Sequence, residues 1–382
     1  MYSKNNLRHK LNPVDSSLGF LGAILAIYGA ATAFQLILML IYLSEVIADS
    51  NYLTSVLSFP WVIVVSSIIN QGALLGFCFL LCKIRHIDLF KATAVNQKVS
   101  LSIILILPIL SLFLIMSNTP LLTAVDNFFE LIKYKVPDIN IDPLLNSPLG
   151  IIGIIFATCV LPAICEELVF RGIILQGLAS RFRPINAILL SAFAFSMMHM
   201  SPAQTVHQFI LGIALGYVVL TTKSLWAGVL LHFLNNLWAV LGTIFQKYGF
   251  GAVLFDNTIF IYSTAILFSL IGIIGFFLAV DLAAKKTKDS IFIKAITGFK
   301  NREQNNRYVI NYDVIFTPFQ RVFDEVKKEY VEQPLSGQEY IMYAQDKEKK
   351  HKKIFVALMC IAFGICIAFW IYSLFLGIKG YV

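Results

Sequence analysis

The stretch Leu149–Leu178, LGIIGIIFATCVLPAICEELVFRGIILQGL, decides how the chain is read. It is almost wholly apolar and long enough to cross a bilayer core of roughly 30 Å at 1.5 Å per residue. Yet its centre holds Cys165-Glu166-Glu167-Leu168-Val169-Phe170-Arg171. Charged side chains at that depth are costly, so their presence calls for a use. Glu167 and Arg171 stand at i and i+4 with the carboxylate on the N-terminal side, the favourable order for a helical ion pair. Glu166 lies about 100° further round the helix and has no partner at that spacing. A buried carboxylate of this kind suits general acid–base work.

The rest of the chain explains the setting. Of 382 residues 58% are hydrophobic and 14% charged, with 32 phenylalanines. Soluble domains run nearer 45–50% apolar and about 25% charged. The apolar residues fall into blocks, predicting spans over 18–43, 61–82, 99–116, 149–178, 185–202, 206–222, 225–242, 258–280 and 354–377. The fold class is therefore all-α, a polytopic membrane helix bundle with an eight-span core and one C-terminal span. Five segments follow: N-terminal membrane helices over 1–148, a core over 149–242, an eighth helix within 243–280, a charged appendage over 281–353, and a last helix within 354–382.

The net charge of +8 is confined to the ends of the apolar blocks. That suits an anionic leaflet and gives no sign of nucleic-acid binding. Lys83, Arg85, Lys91 and Lys98 join spans two and three; Arg181 and Arg183 join four and five; Lys223 joins six and seven. Acidic residues mark the alternate loops. The expected topology is multi-pass in the cell membrane, with the N-terminus cytoplasmic and the C-terminus outside. The six cysteines lie in or beside apolar blocks and form no CxxC pair, so neither a zinc knuckle nor a disulfide framework is expected.

Within 281–353, Arg307–Phe316 reads as one or two short strands. Phe319, Val322, Phe323, Val326 and Tyr330 read as one face of an amphipathic helix. Gly72–Gly76 and Gly212–Gly216 read as small-residue pairs for close helix packing. Asn70 and Gln71 are amides placed to bond across helices, and Asn235 is expected to bond another helix.

Two further spans carry polar residues. Phe195-Ser-Met-Met-His199 ends the fifth, and His232-Phe-Leu-Asn-Asn236 lies in the seventh, with His232 and Asn236 on one face. Counted from the cytoplasmic ends at 1.5 Å per residue, Glu166 is about 18 Å deep, His199 about 22 Å, Asn236 about 20 Å and His232 about 14 Å. The agreement points to one buried polar site. A carboxylate, two imidazoles and an amide can add water to a peptide carbonyl: activated water, a general acid/base and an oxyanion donor. Glu166, His199 and His232 could equally ligate Zn2+.

The block Glu166-Glu167-x-x-x-Arg171, followed by Phe195-x-x-x-His199 and His232-x-x-x-Asn236, resembles the CPBP (Abi) family of intramembrane proteases, which includes the type II CAAX prenyl endopeptidases. The resemblance covers roughly residues 149–242. It implies an intramembrane metalloendopeptidase acting on a membrane-associated protein or peptide. By the same resemblance, Glu166 activates water with help from His199, His232 and Asn236 stabilise the oxyanion, and Glu167 and Arg171 support the site. Whether a metal or the glutamate acts in that family is disputed; asparagine, a poor zinc ligand, favours the glutamate. Cleavage is expected in the cytoplasmic half of the bilayer. The alternatives are a non-catalytic scaffold or bacteriocin-immunity protein working through 281–353, and a proton-coupled transporter.

Overall fold

The computed structural model describes residues 11–49, 52–57, 59–95, 97–135, 141–249, 272–285, 290–292, 319–324, 329–334 and 337–380. Seven helices among them are long and apolar enough to cross a membrane. They are α1 (Pro13–Ile41), α2 (Pro60–Ile84), α3 (Leu101–Leu131), α4 (Pro148–Ala179), α6 (Pro202–Thr222), α7 (Leu225–Lys247) and α9 (Gly337–Lys379), which spans through Glu348–Lys379. The expected fifth span forms the shorter α5 (Pro184–Met198), and of the eighth only α8 (Gly272–Ala283) falls among the described residues. The protein is thus an all-α polytopic membrane bundle.

Local chemistry sets the helix ends. Asn12 and Asp15 form a reciprocal capping box at the start of α1, with Pro13 at the first helical position. Asp15 also receives Arg85 Nε at 2.7 Å, which ties the beginning of α1 to the end of α2. Pro60, Pro148, Pro184 and Pro202 each open a helix, where a missing N–H costs nothing.

The core is an antiparallel α5–α6 pair with α4 and α7 beside it, flanked by α1, α2, α3 and α9. Gly212 makes the pair possible. A Cβ there would lie 2.9 Å from the Ala192 backbone. At Gly216 a Cβ would lie 3.3 Å from Ile188. The Gly72–Gly76 pair behaves differently, correcting the packing expected there: a Cβ at either position meets nothing within 4 Å. Small residues permit an approach but do not cause one.

The charged appendage also departs from expectation. Phe319–Asp324 and Glu329–Pro334 are antiparallel strands β1 and β2, with Val322 opposite Val331 and Phe323 opposite Tyr330. The apolar spacing fitted a helix, but Phe, Val and Tyr favour a pleated pair that brings them together across strands. The expected strand at 307–316 lies outside the described residues.

All the connections lie at two ends of the bundle. Arg85, Lys98, Arg181, Arg183, Lys223 and Lys285 sit at one end, called the basic end below. Lys247 reaches Asp142 and Asn146 at the other. Arg181 faces Glu348 of α9 at 3.9 Å, an exposed contact that contributes little.

Gly212→Val should force α5 from α6 and lower stability by about 1–3 kcal/mol, whereas Gly72→Ala should change little. Thermal midpoints in detergent check both, and equal midpoints for the two variants would refute the packing argument.

Candidate active site

Helix α4 is not a regular helix. Phe156–Val160 and Leu168–Ile174 have π geometry, separated by Leu161–Glu167. Such bulges often mark functional sites. The first has a visible cause in Pro162, which has no N–H to give. Its regular acceptor would be the carbonyl of Thr158, or of Ala157 with π spacing. Side chains of neighbouring helices serve both instead. Asn236 Nδ2 donates to Thr158 O at 2.9 Å, and Ser67 Oγ donates to Ala157 O at 2.5 Å. One proline therefore ties α2 and α7 to α4 just before the glutamates.

The ion pair expected from the i, i+4 spacing is formed. Arg171 Nη1 donates to Glu167 Oε1 at 2.8 Å, with both side chains fully buried. Arg171 Nη2 donates to the carbonyl of Gly212 at 3.3 Å, and its guanidinium carbon lies 4.3 Å from the centre of the Phe195 ring. Gly212 thus serves both helix packing and this arginine. Gly228 makes similar room, since a Cβ there would come within 2.9 Å of Glu167 Oε2.

His232 stands between the two carboxylates. Its Nδ1 is 3.0 Å from Glu167 Oε1, and its Nε2 is 4.0 Å from Glu166 Oε2. Phe195 packs edge-on against the rings of both His232 and His199. His199 closes the end of α5, and its Nδ1 lies 2.9 Å from Phe195 O. A carbonyl only accepts, so Nδ1 carries the proton.

Glu166 is not partnerless, which corrects the sequence reading. Gln71 Nε2 of α2 donates to its Oε1 at 2.8 Å. The sequence marked Gln71 as an amide able to bond across helices but gave no target, because the partner is 95 residues away. Asn235 also differs from expectation: its Nδ2 reaches Asn236 Oδ1 at 3.3 Å on the same helix.

Glu166, His199, His232 and Asn236 all line one cavity of about 620 Å³. Apart from His232, the residues lining it lie level with Glu166 or on its far side from the basic end. The wall of α4 is built from Ile154, Ala157, Thr158 and Pro162, and that of α7 from Ala239, Val240 and Thr243. Toward the basic end, Arg171, Phe170, Ile173 and Ile174 are all buried.

Glu166 and His232 approach each other, but among the described residues no group of three or more His, Cys, Asp or Glu is placed to hold a metal ion.

Residues 148–238 match the family described as type II CAAX prenyl endopeptidase Rce1-like. This stretch contains α4 to α6 and the part of α7 that carries His232 and Asn236. The likeness to that family covers about a quarter of the chain, the stretch in which the glutamates, His199, His232 and Asn236 lie. No curated protein and no solved structure matches the chain.

Arg171→Ala leaves Glu167 buried and without its cation, which costs about 3–5 kcal/mol. Folded protein recovered from membranes should fall sharply, and wild-type recovery would sink the ion-pair argument. Gln71→Leu removes a donor to Glu166 while keeping apolar packing. It should lower turnover more than folded abundance, a split that purified yield and single-turnover rates separate.

Proposed function

We propose that this protein is an intramembrane endopeptidase that hydrolyses a peptide bond of a membrane-associated protein or peptide with water activated by Glu166. The observation that carries this reading is the 4.0 Å gap between Glu166 Oε2 and His232 Nε2 at the floor of the cavity. A single water fits such a gap with a normal hydrogen bond to each side.

The proton inventory supports the arrangement. Glu167 already faces Arg171, so it takes the Nδ1 proton of His232. In the tautomer with the proton on Nδ1, the Nε2 lone pair faces Glu166. Water between Nε2 and Glu166 gives a hydrogen to each and turns an oxygen lone pair toward the cavity. Attack on a carbonyl there passes one water proton to Glu166, which returns it to the departing amine. His232 is thus assigned to holding the water, a different role from the oxyanion donor that the family resemblance suggests.

Asn236 suits the oxyanion. One hydrogen of its Nδ2 is used by Thr158 O, and its Oδ1 accepts from Asn235, which fixes the amide without consuming the second hydrogen. That hydrogen is free for a developing negative charge in a site screened from bulk water. His199 has Nδ1 committed to Phe195 O and turns Nε2 to the cavity wall, where it takes part in proton transfer. No step in this scheme passes through zinc.

Glu166→Gln should lower hydrolysis by roughly 10²–10⁴-fold, the scale of general acid–base catalysis, at unchanged membrane abundance. Comparing peptide termini from membranes carrying wild type and Glu166→Gln reads this directly. Specific termini that vanish in the variant identify both substrate and cleavage position. Identical profiles at matched expression would falsify the protease reading.

A further inference from the structure

We propose that the peptide reaches this site from the non-cytoplasmic face, as an uncharged extended segment next to a membrane anchor or of an exported protein. The inference rests on the protease reading for what happens at Glu166. It rests on separate observations for the direction of approach.

The first observation is the asymmetry of the cavity. It runs from His232 to Thr243 along α7, about 16 Å at 1.5 Å per residue, and always away from the basic end. Gln204 at the start of α6 and Ile141 before α4 sit at its far limit, and Gln204 is exposed. In the opposite direction the lining stops at Glu166 and His232, and that side is called the closed end below.

The second observation is the partition of charge. Lys83, Arg85, Lys91, Lys98, Arg181, Arg183, Lys223 and Lys285 all lie at the closed end. Tertiary contacts fix that grouping independently of any span count: Asp15 meets Arg85, Ser224 Oγ donates to Gln97 O, and Arg181 faces Glu348. The end with the mouth carries Glu45, Asp49, Asp126, Glu130 and Asp142 against Lys133, Lys135, Lys247 and Lys379. Short loops rich in Lys and Arg stay in the cytoplasm. The closed end is then cytoplasmic, and the mouth opens outward.

The third observation is the lining. Apart from Glu166 and the two histidines at its inner part, the wall consists of amides, hydroxyls and aliphatic groups, with no charged side chain. A Lys, Arg, Asp or Glu side chain of a substrate would lose its hydration there without finding a counter-charge. Gln204, Gln208 and Thr243 can instead pair with the backbone of an extended peptide, while Ile154 and Val240 contact apolar side chains. A segment at the outer end of a membrane anchor meets those conditions, and a soluble charged tail does not.

The test labels introduced cysteines in the full-length protein with a membrane-impermeant maleimide, in a Cys360→Ser background whose five remaining thiols are buried, with that background itself as the labelling control. Gln204→Cys at the mouth should label in right-side-out vesicles. Lys98→Cys at the closed end should label only in inverted vesicles. Labelling of Gln204→Cys from the inverted side alone, equally from both sides, or from neither overturns the inference. The same sealed right-side-out vesicles then receive a quenched uncharged peptide and a version with lysine beside the cleaved bond. Cleavage of the first, lost in Glu166→Gln, and about tenfold or more weaker for the second is the expected result. If the cysteines label as expected but no peptide is cut in a Glu166-dependent way, the protease reading fails while the outward mouth stands. If cleavage depends on Glu166 but occurs only in inverted vesicles, the outward approach fails while the protease reading stands.

Discussion

The structure depends on one buried arginine. Arg171 sits among apolar helices with no exposed surface, and such a charge persists only if its surroundings answer it. Glu167 supplies the counter-charge one turn earlier, the carbonyl of Gly212 accepts a hydrogen bond from Nη2 of the same guanidinium, and the Phe195 ring covers its face. Each partner belongs to a helix whose placement is then fixed: α4 itself, α6 and α5. The pair is not a large source of net stability, because hydrophobic residues of similar volume often serve as well. Its consequence is specificity. A bundle packed in any other register would strand a charge.

That same pair sets the chemistry. Glu167, answered by Arg171, is free to accept the Nδ1 proton of His232 and so fixes which side of the imidazole faces Glu166. Two residues outside the cavity lining bear on Glu166, Glu167 through the histidine and Gln71 directly. The adjacent glutamates, alike in sequence, have separate tasks because one turns inward to the arginine and the other toward the cavity.

Pro162 does comparable work on the backbone. Removing one N–H from a transmembrane helix leaves a carbonyl that lipid cannot satisfy. The protein answers with Asn236 and Ser67, and the answer fixes the amide of Asn236 with one hydrogen to spare. A local defect in α4 thereby positions the group assigned to the oxyanion. The π turns on either side of Leu161–Glu167 show the same helix accommodating its functional residues at the cost of regularity.

The sequence by itself determined the membrane-spanning helices, the basic and acidic loops, the Glu167–Arg171 pair and the members of the polar cluster. All of these follow from short-range facts: apolar block length, i and i+4 spacing, and the cost of charge in lipid. Depth counting even predicted that Glu166, His199, His232 and Asn236 share one cavity. What it could not determine depends on side chains far apart in the chain. The tie from Gln71 to Glu166 has no local signature. The close approach at Gly212 and the open space at Gly72 arise from the same small-residue pattern. Apolar residues with helical spacing lie instead on the paired strands Phe319–Asp324 and Glu329–Pro334. Above all, the direction of the cavity was decided by tertiary packing alone. Its lining comes from α2, α4, α6 and α7 and the end of α5, whose approach to one another has no local signal in the sequence.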